Sequence, residues 1–285
     1  MSIIRIGTCS WKYESWKDLV YTSAKSENFL LEYAKKYQTV EIDQWFWSLH
    51  GLNKITLPQK SVVEEYLNSV PDNFKFTIKI PNSITLTHLY QKDKSGTLIR
   101  NPYFLNIDLF NEFLDAIKPL KQNTGILVFQ FEYLNKLKMS GQQEFLICLE
   151  KFFKNINAEF EYGIEIRNPN YLNKTYFEFL RRHNLRMVFL QGYYMPNIWE
   201  VFNNYKELLE KLVVIRLHGE DRKGIEEKSG ENWSKIISPK DSEIDKIIEM
   251  IKYLRLKEIN TYINVNNHYE GSAPLTIEKF REIIE

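Results

Sequence analysis

The stretch Leu212-Val-Val-Ile-Arg-Leu-His-Gly219 predicts a buried strand whose carboxyl end carries charge. Its run of apolar residues is typical of a strand that is covered on both faces, as the strands of a parallel sheet are. Arg216 and His218 are two residues apart, so their side chains point to the same face of that strand. The stretch therefore predicts a parallel sheet with a polar site at one end.

Seven other strand-like runs resemble this one, and segments with helical spacing separate them. The runs are Ile3–Thr8, Thr39–Asp43, Phe74–Lys79, Gly125–Gln130, Tyr162–Arg167, Leu185–Leu190 and Asn260–Asn266. Eight strands alternating with helices in 285 residues predict the α/β class and a single (β/α)₈ TIM-type barrel, with residues 1–285 as one domain. A doubly wound open sheet is less favoured, because no Gly-rich phosphate loop follows the first strand.

Composition and charge narrow the class of protein. Hydrophobic residues make up 44% of the chain and charged residues 26%, as in globular proteins. The net charge of +1 produces no overall electrostatic field that would attract nucleic acid or a membrane. Nucleic acid therefore remains a possible partner, but the net charge does not favour it. Cys9 and Cys148 lack disulfide or zinc spacing, and no run has the length of a membrane span or a secretory signal. We expect a cytoplasmic protein with no membrane partner; the oligomeric state is open.

Polar side chains cluster at the predicted strand ends, where the sites of such barrels are built. They are Glu41, Lys79, Gln130, Glu165, Arg167, Arg216, His218, Asn266 and Asn267. Guanidinium and ammonium groups bind phosphate and carboxylate, so Lys79, Arg167 and Arg216 are predicted to bind a small anionic ligand. Gln130, Asn266 and Asn267 are predicted to complete the ligand-binding set.

Three of these residues are candidate catalytic groups. Glu41 and Glu165 are predicted to transfer a proton, with His218 as the acid partner. The alternative is that Glu165, Arg167 and Arg216 form a structural ion-pair network, because buried charges need partners. Under the ligand-binding hypothesis, Arg216→Ala weakens anion binding and leaves the fold intact.

Aromatic residues are concentrated after the first two strands. Trp11, Tyr13 and Trp16 follow the first strand, and Trp45 to Trp47 follow the second. These rings either stack on a ligand, in which case Trp11 is a ligand-binding residue, or they pack the loops onto the barrel rim.

No cofactor or metal motif is present, so the sequence predicts no cofactor and no bound metal. Glu41, Glu165, His218 and His268 are nevertheless a set that folding could assemble around a metal. Two other functions therefore stay open: a metal-dependent phosphodiesterase acting on nucleic acid, and a non-catalytic nucleotide or RNA binding module. Whether the protein is an enzyme is left open, as is a lid role for residues 80–106 and 220–240.

Six stretches together resemble the YecE-like family (domain of unknown function 72). They are Ile6-Gly-Thr-Cys-Ser-Trp-Lys-Tyr-Glu-Ser-Trp16, Thr39-Val-Glu-Ile-Asp-Gln-Trp-Phe-Trp47, Phe74-Lys-Phe-Thr-Ile-Lys79, Glu165-Ile-Arg167, Ile215-Arg-Leu-His-Gly219 and Asn266-Asn-His-Tyr-Glu-Gly-Ser-Ala-Pro274. The resemblance implies a TIM-type barrel and no established activity. Its members are compared by shape with metal-dependent sugar isomerases and apurinic-site endonucleases, which is an analogy of fold. This chain departs from the family pattern at Cys9-Ser10, where Ser-Gly is common, and at Asp43-Gln44-Trp45, where Asn-Ser-Thr is common.

Overall fold

Eight parallel strands close into a barrel in the computed structural model, which describes residues 2–90 and 97–281. In chain order the strands are β1 (Ile4–Thr8), β2 (Thr39–Ile42), β3 (Leu49–Gly51), β4 (Lys54–Ile55), β5 (Lys75–Lys79), β6 (Thr124–Gln130), β7 (Tyr162–Glu165), β8 (Arg186–Gly192), β9 (Leu212–Gly219) and β10 (Asn260–Val265). Around the barrel the order is β1, β10, β9, β8, β7, β6, β5 and β2, while β3 and β4 form a separate hairpin. The predicted (β/α)₈ TIM-type barrel is confirmed.

Helices connect the barrel strands. They are α1 (Phe29–Lys36), α2 (Lys60–Asn68), α3 (Asn82–Thr85), α4 (Ile107–Ile117), α5 (Gln142–Phe153), α6 (Lys174–Arg182), α7 (Ile198–Tyr205), α8 (Arg222–Ser229), α9 (Asp241–Leu256) and α10 (Ala273–Glu278). Within residues 2–90 and 97–281, every helix is too short or too polar to span a bilayer.

The side chains of β9 alternate between the outside and the inside of the barrel. Val213, Ile215 and Leu217 belong to the large apolar cluster that includes the helix side chains. Leu212 and Val214 belong instead to a small interior cluster, whose other members are Ile126, Val128, Val188 and Tyr262. Arg216 and His218 continue the interior series because strand side chains alternate with a period of two. An apolar layer therefore fills the barrel near the amino ends of its strands, and a polar layer follows toward the carboxyl ends.

Asn28 caps α1 by accepting a hydrogen bond from the Leu31 amide at 2.9 Å, while the Ser26 hydroxyl donates to Glu32. The polar segment 220–240 contains α8, which the sequence pattern did not predict. Because α8 buries only Ile225, its apolar signal is weak, and the Asp221 side chain caps it at the Gly224 amide. Of the candidate lid 80–106, residues 91–96 lie outside the described residues.

The pairing of β8 with β9 contains an irregularity that places one extra residue on β9. Gln191 pairs with Leu217, but the next residue, Gly192, pairs with Gly219. His218 is the residue left without a partner, and such bulges redirect side chains next to functional sites. Gly192 has φ +120°, and a Cβ on it would lie 2.1 Å from the carbonyl oxygen of Gly219. The bulge therefore requires a glycine at position 192.

Gly192→Ala is expected to lower the free energy of unfolding by about 1–3 kcal/mol, because the new Cβ strains the backbone and collides with β9. The measurement is urea unfolding followed by circular dichroism. The control is Gly51→Ala, where a Cβ meets no atom within 4 Å, and its effect should stay within about 0.5 kcal/mol. Equal stability of the two variants would show that the bulge tolerates a side chain.

Candidate functional site

Arg216 is the centre of the polar layer and donates to groups on three other strands. Its Nε and Nη2 donate to the two carboxylate oxygens of Glu41, each at 2.7 Å. Its Nη1 donates to Gln130 at 3.1 Å and also to Glu165. The exposed fractions are 1% for Arg216 and 0% for both glutamates. All three guanidinium nitrogens are therefore engaged inside the protein, as the structural ion-pair alternative expects.

Mutual attraction favours the charged forms of Arg216 and Glu165 despite their burial. Burial by itself lowers the pKa of Arg216, but Glu165 and Glu41 outweigh it and hold that pKa above its usual range. Burial likewise raises the pKa of Glu165, but Arg216 and Arg167 outweigh it and the net shift is downward. The Nε of Arg167 donates a hydrogen bond of 3.2 Å to the carboxylate oxygen of Glu165 that does not bind Arg216. We refer to Arg216, Glu41, Glu165 and Gln130 as the Arg216 network.

Asn264 joins the Arg216 network and was not among the predicted residues. Its Nδ2 donates to Thr77 at 2.9 Å and to Glu41 at 3.3 Å. It pairs with Arg216 in the parallel register of β9 and β10, so the two side chains lie at one level. The alternation of β10 could have identified it, but only with the register, which the sequence does not give. Within the described residues its Oδ1 is buried without a hydrogen-bond partner.

His218 lies on the mouth side of the network, where we use "mouth" for the carboxyl ends of the barrel strands and the loops that follow them. The hydroxyl of Tyr193 is 3.2 Å from its Nδ1, and the thiol of Cys9 is 3.6 Å from its Nε2. Burial, followed by the nearby Arg216 and Arg167, lowers the pKa of His218 well below its usual value. The imidazole is therefore neutral near pH 7, with each ring nitrogen next to a group that can exchange a proton.

Both neighbours of His218 keep their protons at neutral pH. Burial and then Glu41 raise the pKa of the Cys9 thiol well above its usual value. Burial also raises the pKa of Tyr193, whose ring lies 4.8 Å below the guanidinium of Arg167. Sequence reasoning missed Tyr193 because the segment after β8 has no clear periodicity.

Lys79 and Asp43 stand at the ends of β5 and β2. The Nζ of Lys79 lies 4.1 Å from the centre of the Phe46 ring, and it has no hydrogen bond or ion pair with the described residues. Burial and then Arg216 lower the pKa of Lys79. Burial and then Glu41 raise the pKa of Asp43 to about 6.

Three predicted ligand-binding residues have structural partners instead. The side-chain oxygen of Asn266 accepts from the His268 amide at 2.9 Å, and that of Asn267 accepts from the Ala273 amide at 2.9 Å. Both therefore shape the loop after β10. Trp11 is fully buried and packs edge-on against Tyr66, with ring centres 5.0 Å apart. Its environment fits the alternative in which the aromatic residues pack the loops onto the barrel.

The proposed metal set of Glu41, Glu165, His218 and His268 does not converge. His268 instead contacts Glu226 at 3.0 Å. Among the described residues, Cys9, Glu41 and His218 offer ligand atoms that lie within 4.8 Å of one another. Both oxygens of Glu41 are held by Arg216, however, and the positive charge of the guanidinium would repel a cation. The three residues therefore fit a metal ion poorly.

The Arg216 network changes the expectation for Arg216→Ala. Removing the guanidinium leaves Glu41 and Glu165 buried without a countercharge, so the free energy of unfolding should fall by about 3–5 kcal/mol. Urea unfolding measures the change. As a control, Arg181→Ala breaks an exposed pair with Glu210, which should cost about 1 kcal/mol or less. Similar losses in the two variants would contradict the network's structural importance.

Asp43 predicts a pH dependence of stability. Its pKa rises from 3.8 to about 6 on folding, so its stabilising contribution is complete below about pH 4 and disappears as the pH rises through 6. Asp43→Asn cannot ionise and should therefore gain about 1–2 kcal/mol relative to the parent between pH 4 and 7, a value that allows for partial exposure. Urea unfolding at both pH values tests this, with the exposed Asp115→Asn as control. A pH-independent difference would exclude the proposed environment of Asp43.

Comparison with known proteins identifies the family. Residues 5–285 match the family described as "Protein of unknown function DUF72". The UPF0759 protein YecE of Escherichia coli K12 is 27% identical over 172 residues, which cover 60% of this chain and 51% of YecE. The match thus extends over about half the length of the curated relatives.

Two solved structures share the fold. A DUF72 protein from Thermotoga maritima MSB8 has a TM-score of 0.68 at 20% identity and covers 99% of each chain. A DUF72 protein from Enterococcus faecalis V583 has the same TM-score and identity, and the match covers 99% of this chain and 95% of that one. Because the family match extends over almost all of the sequence, this chain belongs to the DUF72 family, TIM-barrel proteins of unknown function.

Proposed function

We propose that the mouth of the barrel binds a small anionic, phosphate-bearing ligand and exchanges a proton with it through His218. The proposal rests on how the side chain of Arg167 is held in the mouth. Its side chain is 28% exposed and its Nε binds Glu165, while its two terminal nitrogens make no hydrogen bond to the described residues. A guanidinium held in this way presents a fixed pair of donors to a phosphate or carboxylate.

The proposed roles separate two arginines that the sequence treated alike. Arg167 supplies the positive charge that binds the ligand. Arg216 stays inside the protein, since its donors are already used by Glu41, Gln130 and Glu165. Its contribution is to fix Glu165, which in turn orients Arg167.

His218 is a better proton carrier here than either glutamate. Arg216 holds both oxygens of Glu41, and the two oxygens of Glu165 are bound by Arg216 and Arg167. The neutral imidazole of His218 can accept a proton at one nitrogen while Tyr193 fixes the other. The proposed reaction class is therefore proton transfer to or from a bound anion, without a metal.

Exposed aromatic side chains support a second candidate, a non-catalytic nucleotide or RNA binding module. Trp47, Tyr133 and Tyr194 lie in loops after β2, β6 and β8, with exposed fractions of 64%, 59% and 96%. Such rings can stack on bases. This function requires binding of a single-stranded oligonucleotide that weakens when Trp47 is replaced by alanine.

Isothermal titration calorimetry with inorganic phosphate tests the first proposal. Arg167→Met should weaken phosphate binding by about 10- to 100-fold, the value of one charge-assisted contact. Arg181→Met is the matched control, because that arginine is exposed and pairs with Glu210 outside the mouth; it should bind like the parent. His218→Gln should retain binding, because the imidazole is proposed to move a proton rather than hold the anion. Equal affinity of the Arg167→Met variant and the parent, or no binding by either, would reject the proposal.

A further inference from the structure

We propose that Lys79 is a nucleophilic amine that forms a Schiff base with the carbonyl group of the ligand. The substrate class is then an aldehyde or ketone that also carries an anionic group. This inference rests on the proposed function in one respect, since Arg167 is taken to hold the anionic group while the carbonyl reaches Lys79.

The position of Lys79 is unusual for a lysine. Its exposed fraction is 8%, and its Nζ lies over the face of Phe46, 4.1 Å from the ring centre. Lysine side chains are almost never buried this deeply without a partner. Other partly buried lysines on loops near the mouth are paired: Lys138 binds Glu132, and Lys240 binds Glu243. Lys79 makes no such pair with the described residues, and its Nζ keeps some access to solvent.

The surroundings of Lys79 favour the neutral amine that attacks a carbonyl. The charged groups that act on it are Arg216 from β9, Glu41 and Asp43 from β2 and its following loop, and Glu165 from β7. Both oxygens of Glu41 and one of Glu165 are already bound to Arg216, so these carboxylates are not free to pair with Lys79. Burial and the Arg216 charge together outweigh the carboxylates and lower the pKa of Lys79. Desolvation beside another cation is an established way to activate a lysine.

The reaction needs no further reactant. The ammonium of Lys79 loses a proton, and the nitrogen lone pair forms a C–N bond to the carbonyl carbon as the carbonyl oxygen takes up a proton. The nitrogen then loses its second proton to the departing hydroxyl, the C–O bond breaks, and water leaves. The product is a protonated imine, so the sum converts an ammonium and a carbonyl into an iminium and water with charge conserved. His218, which is neutral and belongs to the same mouth, is the proposed proton carrier for these steps.

Reductive trapping tests the proposal on the full chain. The protein is incubated with sodium cyanoborohydride and one of three probes: pyruvate, a ketone with a carboxylate; dihydroxyacetone phosphate, a ketone with a phosphate; or acetone, a neutral ketone. Peptide mass spectrometry then locates the reduced adduct. Lys79 should be modified at least about tenfold faster than Lys60 by an anionic probe, because binding of the anion holds the carbonyl beside the amine. Lys60 is a suitable internal reference, since its side chain is 85% exposed.

The controls separate this proposal from the anion site. Lys79→Arg keeps the positive charge and removes the reactive amine, so it should lose the adduct, whereas Lys138→Arg should keep the adduct and phosphate binding. Preference for pyruvate or for the phosphorylated ketone supports the proposal and identifies the anionic group. The proposal is overturned by modification of Lys79 that is no faster than that of Lys60. It is also overturned if acetone modifies Lys79 as fast as the anionic probes do. Phosphate binding that depends on Arg167 without any adduct would leave the anion site intact and reject only the Schiff base. Locating the adduct in the parent protein by peptide mass spectrometry decides the outcome even where the Lys79→Arg variant does not fold.

Discussion

A buried guanidinium held between two buried carboxylates is the interaction on which this barrel depends. Removing three charges from water costs several kcal/mol for each, and only close pairing in a low dielectric offsets that cost. Arg216 meets the requirement by reaching Glu41 and Glu165, which lie on other strands. The network therefore ties β2, β7 and β9 together across the barrel interior. It also separates the apolar layer near the amino ends of the strands from the mouth.

Burial and the charges of this layer together set the chemistry of the groups above it. Burial is the larger cause, and it is reinforced by Arg216, which lowers the pKa of both His218 and Lys79, and by Glu41, which raises those of Cys9 and Asp43. Each shift favours the uncharged form. Among the described residues, the mouth thus combines a neutral imidazole and a protonated thiol with the partly exposed cation Arg167. Such an environment suits reactions in which a proton moves on a bound anion.

The irregular pairing of β8 with β9 connects the fold to this site. In a regular ladder His218 would have a pairing partner on β8. Because of the bulge, His218 has no pairing partner on β8. Gly192 permits the close approach of the two strands. Tyr193 follows directly and reaches the imidazole. One backbone irregularity therefore places both members of the contact, which is why glycine at position 192 matters for the site as well as for stability.

The sequence by itself determined the barrel, the strands that build it and the face on which Arg216 and His218 lie. These are local properties: the side chains of a strand alternate between its two faces, so the order of the residues in Leu212–Gly219 is enough to assign each one to a face. Only the tertiary structure decided which groups meet. Alternation says that Arg216 points inward, but not that Glu41, 175 positions earlier, faces it. For the same reason the sequence could not distinguish Arg216, whose donors are used inside the protein, from Arg167, whose terminal nitrogens bind none of the residues that the structure describes. Asn264, Cys9 and Tyr193 were missed because their roles come from register, burial and a bulge, which depend on strands distant in the chain.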